Sequence, residues 1–162
     1  MVTGSLVMAN IIENRLEISF VDAESRLAWA DRHTCFRGEQ LLLKYTDAWS
    51  EEVCCSRILD DEETEDGAIV LFFDSRWSAP CSWFGEMVTT NSNIAQACLS
   101  YSDSNMLSVG EMEWEGANLK ENYREGKNLT PDDFFILGVD RCPSCSEFLC
   151  RCDGADGDYV NG

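Results

Sequence analysis

The segment Gly67 to Phe84 constrains this chain more than any other. Within it Ala68 to Phe73 is a run of six uncharged residues, rich in β-branched and aromatic types and closed off by Asp66 and Asp74. Such a run suits a strand covered on both faces, and therefore the centre of a sheet. Asp74, Ser75 and Arg76 end it. Pro80 cannot serve a ladder but fits the first turn of a helix, so the next element starts near Ser78 to Cys81. Trp83, Phe84, Met87 and Val88 then recur at helical spacing, which predicts an amphipathic helix to about Thr90.

The rest of the chain supplies partners for this pair. Leu16, Ile18 and Phe20 alternate with Arg15, Glu17 and Ser19, the period of a half-buried strand. Asp22 can cap a helix running to about His33, with Gly38 on its far side. Glu39 to Tyr45 reads as a second strand, and Trp49 to Leu59 fits a short helix or a strand equally well. Asp60 to Asp66 holds six acids in seven residues and reads as a solvated loop before the central strand. Ile94 to Tyr101 and Met106 to Trp114 form a hairpin, and Gly116 to Gly126 is polar and turn-rich. Thr130, Pro131, Asp132 and Asp133 carry the signature of a helix start, with Gly138 as its stop.

At 162 residues and 44% hydrophobic content the chain can build one core. Met1 to Val7 reads as an arm outside the fold. No apolar stretch is long enough to span a membrane, and no targeting segment is evident, so the expectation is a soluble cytoplasmic protein. Nine cysteines is an odd number, which points to reduced thiols or metal ligands rather than a full set of disulfides. The net charge of −18 opposes direct binding to nucleic acid, which needs clustered Lys and Arg, and favours basic partners. Its distribution is uneven. Residues 67–110 carry 3 acids and 1 base, residues 1–66 carry 15 and 6, and residues 111–162 carry 12 and 5.

The order strand, helix, strand, strand, helix, strand with an added hairpin strand describes an α+β fold, a ferredoxin-like split βαβ sandwich followed by a Cys-rich C-terminal tail. Ala9 to Leu16 resembles the ANxxxNxL opening of the YubB-like ferredoxin-like domain of phage and plasmid accessory proteins, and Phe73 to Pro80 resembles that family's FDxxWSxP string. Tyr101 to Trp114 is similar to its closing hairpin. The chain departs from the family at Ile11 and Ile12, where an aromatic and a small residue are usual, and at Ser104 and Asn105, which replace a Pro-Gly turn. The resemblance spans about residues 8–119 and implies a fold and a mobile-element origin in a bacterial host. It assigns no reaction, cofactor or catalytic residue. Residues 120–162 are expected to form a short helix and a Cys-rich, Gly/Asp-rich tail.

Two constellations carry the functional expectations. Cys142, Cys145, Cys150 and Cys152 could present four thiolates to a structural Zn, although the Cys150 and Cys152 spacing is tighter than usual and Cys54 or Cys55 could replace one ligand. Free thiols and a redox pair are the alternatives. The second constellation is the pair of acidic flanks. If folding brings them together, Glu51, Glu52, Asp60, Asp61, Glu62, Glu63, Glu65, Asp66, Glu111, Glu113 and Glu115 form an anionic surface able to occlude a basic, nucleic-acid-binding surface of a host or defence protein. The competing expectations are solubility alone, or a metal-stabilised scaffold that docks through the Cys tail. An enzyme using acidic metal ligands is the weakest reading, since the single histidine, His33, has no evident nucleophile beside it. The tryptophans at positions 29, 49, 77, 83 and 114 read as core and cover, or as interface anchors where exposed.

Overall fold

Alternation along Ile11–Phe20 (β1) decides which side of the sheet turns inward: Ile12, Asn14, Leu16 and Ile18 are buried, while Ile11 and Glu13 are exposed and Arg15, Glu17 and Ser19 half-buried. The computed structural model describes residues 10–44 and 55–141, with the side chain of Cys55 left out. Met1 to Val7, Glu51, Glu52 and the four tail cysteines lie outside those residues. After β1 come α1 (Ala23–His33), β2 (Thr34–Arg37), β3 (Gln40–Lys44), β4 (Cys55–Glu63), β5 (Ile69–Arg76), α2 (Cys81–Thr90), β6 (Ile94–Asp103), β7 (Ser108–Glu115), β8 (Asn118–Glu125), a short 3-10 turn and α3 (Pro131–Ile136). The class is α+β. One eight-stranded sheet has the order β2-β3-β4-β5-β1-β6-β7-β8, and every pairing in it is antiparallel.

Two helices cover one face. Trp29 of α1 and Phe84, Met87 and Val88 of α2 pack with Leu16, Ile18, Leu71, Phe73, Leu99 and Met112 from the strands beneath. Trp29 Nε1 donates to Met87 Sδ at 3.2 Å, joining the two helices. The N-terminus of α1 is capped by Asp22, whose side chain accepts from the Ser25 N–H at 2.7 Å and is thereby held below its ordinary carboxylate pKa. Asn14, buried in β1, donates to Ile12 O, Phe73 O and Ser75 Oγ, and Ser75 Oγ donates to Ser78 O. These bonds lock the chain between β5 and α2. Among the described residues no helix is long and apolar enough to cross a membrane.

The expected central strand is β5, fourth in the order and paired with β4 and β1. Val70, on the side away from the helices, is as buried as Leu71 and Phe73 on the side beneath them. Asp74 to Arg76 extend the strand rather than ending it. Three further expectations are corrected. Asp60 to Glu63 are the second half of β4 and not loop, because backbone pairing with β5 makes no demand on side-chain polarity; the turn is Thr64 to Gly67, with Gly67 at φ +77. The span after Gly116 contains β8, exposed along almost its whole length and so without apolar periodicity, and it carries the sheet past residue 119. Residues after His33 form a four-residue edge strand that turns at Gly38 into β3.

Gly110 of β7 is a close-approach position. A Cβ there would lie 2.1 Å from Tyr101 Cζ, so the Tyr101 ring rests across the glycine backbone.

β8 and α3 are joined by one buried carboxylate. Arg124 Nε and Nη2 donate to Asp133 Oδ2 and Oδ1 at 2.8 and 2.7 Å, and Asp133 and Thr130 complete a reciprocal capping box at the start of α3. The Arg124 bonds, with those from Thr130, outweigh burial and hold the Asp133 carboxyl down to about 2, below its ordinary 3.8. A lowered folded value stabilises above the ordinary range and is lost as pH falls from about 4 toward 2. Asp133→Asn should therefore cost about 2 kcal/mol near pH 7. Denaturant titrations from pH 7 to 2 should show the gap from wild type closing below about pH 4.

Candidate functional site

The sheet face turned away from α1 and α2 is the candidate site. Pairing carries one side-chain parity across it. Arg15 lies beside Phe72 on β5 and Ser100 on β6; Glu17 lies beside Val70 and Cys98; Cys98 lies beside Glu113 of β7, Ser100 beside Glu111 and Gln96 beside Glu115. On the other flank Asp60 and Glu62 of β4 pair with Phe72 and Val70. Glu13 sits opposite Asp74. The face thus collects carboxylates of Asp60, Glu62, Asp74, Glu13, Glu17, Glu111, Glu113 and Glu115, with Arg15, Arg57, Arg76, Lys120 and Arg124 among its cations. From β4 to β7 it spans four strand spacings, about 19 Å.

A β-bulge decides the β4 part of this arrangement. The register shifts between Ile58 and Asp60, so that Ile58 opposes Phe73 while Asp60 opposes Phe72. The one extra residue sends Asp60 and Glu62 to the open face.

Local pairing occupies two of these cations, Arg15 with Glu17 and Arg124 with Asp133. Arg15 Nη2 meets Glu17 Oε2 at 2.8 Å and lies 5.9 Å from the centre of the Phe72 ring. Gln96 Nε2 donates to Glu115 Oε1 at 2.9 Å, and a shallow groove of about 230 Å³ runs among Glu17, Gln96, Cys98, Glu113 and Glu115. Burial pushes the Cys98 thiol up, with Glu111 and Glu113 adding to it, and burial likewise raises Cys81 and Tyr101. Neither thiol is a ready nucleophile near pH 7. His33 stacks 4.9 Å from the Trp29 ring at the end of α1.

Of the residues chosen from sequence, Asp60, Glu62, Glu111, Glu113 and Glu115 share this face. Asp61 and Glu63 point to the helix side, where Glu63 binds Arg26, and Glu65 and Asp66 sit in the turn. Glu13, Glu17 and Asp74 were not singled out, although the alternation of β1 already placed Glu17 on its polar side. Among the described residues no group of three or more His, Cys, Asp or Glu side chains is arranged to hold a metal ion. The expected zinc ligands Cys142, Cys145, Cys150 and Cys152 lie outside them. Trp29 is core and Trp83 and Trp114 flank it, but Trp77 is 59% exposed.

No protein-family model matches the chain, and no curated protein or solved structure matches it.

Proposed function

We propose that this is a non-catalytic acidic binding protein, built on a ferredoxin-like core, that occludes a basic, nucleic-acid-binding surface of a host or defence protein. The order β4-β5-β1-β6, with α1 and α2 as the crossovers, supports the ferredoxin-like assignment. A phage or plasmid origin and action in the bacterial cytoplasm belong to the same proposal and rest on the strings at Ala9 to Leu16 and Phe73 to Pro80.

One observation carries the functional reading. Carboxylates from distant parts of the chain occupy the sheet face opposite α1 and α2, where their fields add. Glu111, Glu113 and Glu115 follow one another at two-residue spacing, about 7 Å apart, an arrangement that repels itself and that solubility alone does not require.

The test uses a fluorescent all-lysine peptide of about 20 residues, comparable in length to one face of the sheet if helical. Wild-type protein should bind it, with affinity falling steeply between about 50 and 300 mM salt as screening shortens. The Glu111→Gln, Glu113→Gln, Glu115→Gln variant should bind weakly, with a flatter salt response. Equal binding by the variant would overturn the reading.

A further inference from the structure

We infer that the helical side of the sheet carries a second site, a pocket between α1 and the turn after α2 that takes a small hydroxylated organic anion with a phosphate or carboxylate head. The pocket holds about 320 Å³, at the low end for a small-molecule site. Ser25, Ala28 and Arg32 line it at helical spacing of three and four, with His33 beside them, so one face of α1 supplies this wall. The opposite wall is Thr90 to Asn93. Trp29 and Met87, both buried, close it on the core side.

Both walls are fixed by contacts within the fold. The Asn93 N–H donates to Asn91 Oδ1 at 3.1 Å, and the Val21 N–H donates to Asn93 O at 3.0 Å, which ties the turn to the residue before the Asp22 cap of α1. The His33 ring lies 4.9 Å from the Trp29 ring and, edge to face, 6.1 Å from the Trp83 ring. Trp29 Nε1 holds Met87 Sδ across the two helices. A ligand therefore meets a hollow already shaped, and its binding is spared much of the cost of ordering side chains and loops.

Charge selects the occupant. The chain has 30 acids and 12 bases, yet the lining contains Arg32 and His33 and no carboxylate. Among the described residues Arg32 forms no ion pair. Its guanidinium fork matches the oxygens of a phosphate or carboxylate, and the hydroxyls of Ser25 and Ser92 with the amides of Asn91 and Asn93 match the hydroxyl groups of the same molecule. Cations in a last turn are favoured by the helix dipole alone, but the dipole calls for no cavity beside them and no facing wall of amides and hydroxyls. The net charge of −18 repels a polyanion, so the fitting ligand is a small one.

His33 is the only histidine, so its imidazole signals in a proton–carbon correlation spectrum need no further assignment. Ribose-5-phosphate, gluconate and inorganic phosphate are titrated in turn at constant pH and ionic strength. Ribose-5-phosphate or gluconate should move the His33 signals saturably, with half-saturation at about 1 mM, and whichever binds the tighter assigns the head as phosphate or carboxylate. Arg32→Gln, at an exposed position, should weaken binding about tenfold or more. Ala28→Leu, also at an exposed helix position, fills the pocket without changing its charge and should abolish binding. Lys120→Gln removes the same charge from the open sheet face and should leave binding unchanged. No saturable change from any probe up to about 20 mM, binding that survives Arg32→Gln or Ala28→Leu, or an equal loss in Lys120→Gln overturns the site. Inorganic phosphate binding as tightly as the two organic anions overturns the hydroxylated ligand. None of these results bears on the acidic face, which the all-lysine peptide tests separately.

Discussion

Phe84→Ala should lower the free energy of unfolding by about 3–5 kcal/mol, the upper end of what a single core truncation does. Phe84 is fully buried, and with Met87 and Val88 it forms the face that α2 lays on the sheet. Its ring meets a cluster drawn from β1, β5, β6 and β7, so the space left by alanine is bounded by paired strands that cannot close over it. Against a typical domain stability of about 5–15 kcal/mol, that loss should be visible as a shift of the urea midpoint at unchanged slope. A change below about 1 kcal/mol would mean that α2 is not packed as described.

Neutralising the β7 carboxylates should have the largest effect on binding and the opposite sign for stability. Each exposed charge facing a cationic partner contributes on the order of 0.5–1 kcal/mol, so the Glu111→Gln, Glu113→Gln, Glu115→Gln variant should lose about tenfold to hundredfold in affinity for the all-lysine peptide at low salt. The same change removes repulsion within β7 and against Glu17, and should raise the melting temperature by a few degrees in a domain of this size. Calorimetry and fluorescence titration on one preparation check both. Loss of affinity with a gain in stability is the mark of charges placed for a partner, whereas losses in both would make them structural.

The two halves of this account were unequally legible in the residues. Ala68 to Phe73 announced the central strand, the alternation of Asn14 to Phe20 the polarity of β1, and Thr130 with Pro131 the start of α3, because in each the local preference and the tertiary role agree. The strands β2 and β8 were invisible for a physical reason. They are edge strands held by backbone bonds, and their exposed side chains leave no period to read. Asp60 to Glu63 misled because six neighbouring acids look unpackable, yet a strand with solvent on its side chains need not pack them.

The site was legible only as two acidic blocks. That they meet depends on the order β4-β5-β1-β6-β7, and the parity of Asp60 and Glu62 depends on one bulge residue after Ile58. Pattern counting sees neither. Trp77 was hidden for a similar reason. A tryptophan following a buried strand reads as core, and nothing in the residue pattern signals that Trp77 sits on a left-handed backbone and is exposed.

The central claim is that the open sheet face, and not the helical side, receives the cationic partner. Backbone amide chemical shifts followed during titration with the all-lysine peptide locate the contact directly. The account predicts the largest changes at Arg15, Glu17, Cys98, Glu111 and Glu113, with Ala28, Arg32 and Glu86 on the helices unmoved; changes centred on those helix residues, or scattered evenly over both sides, would contradict it.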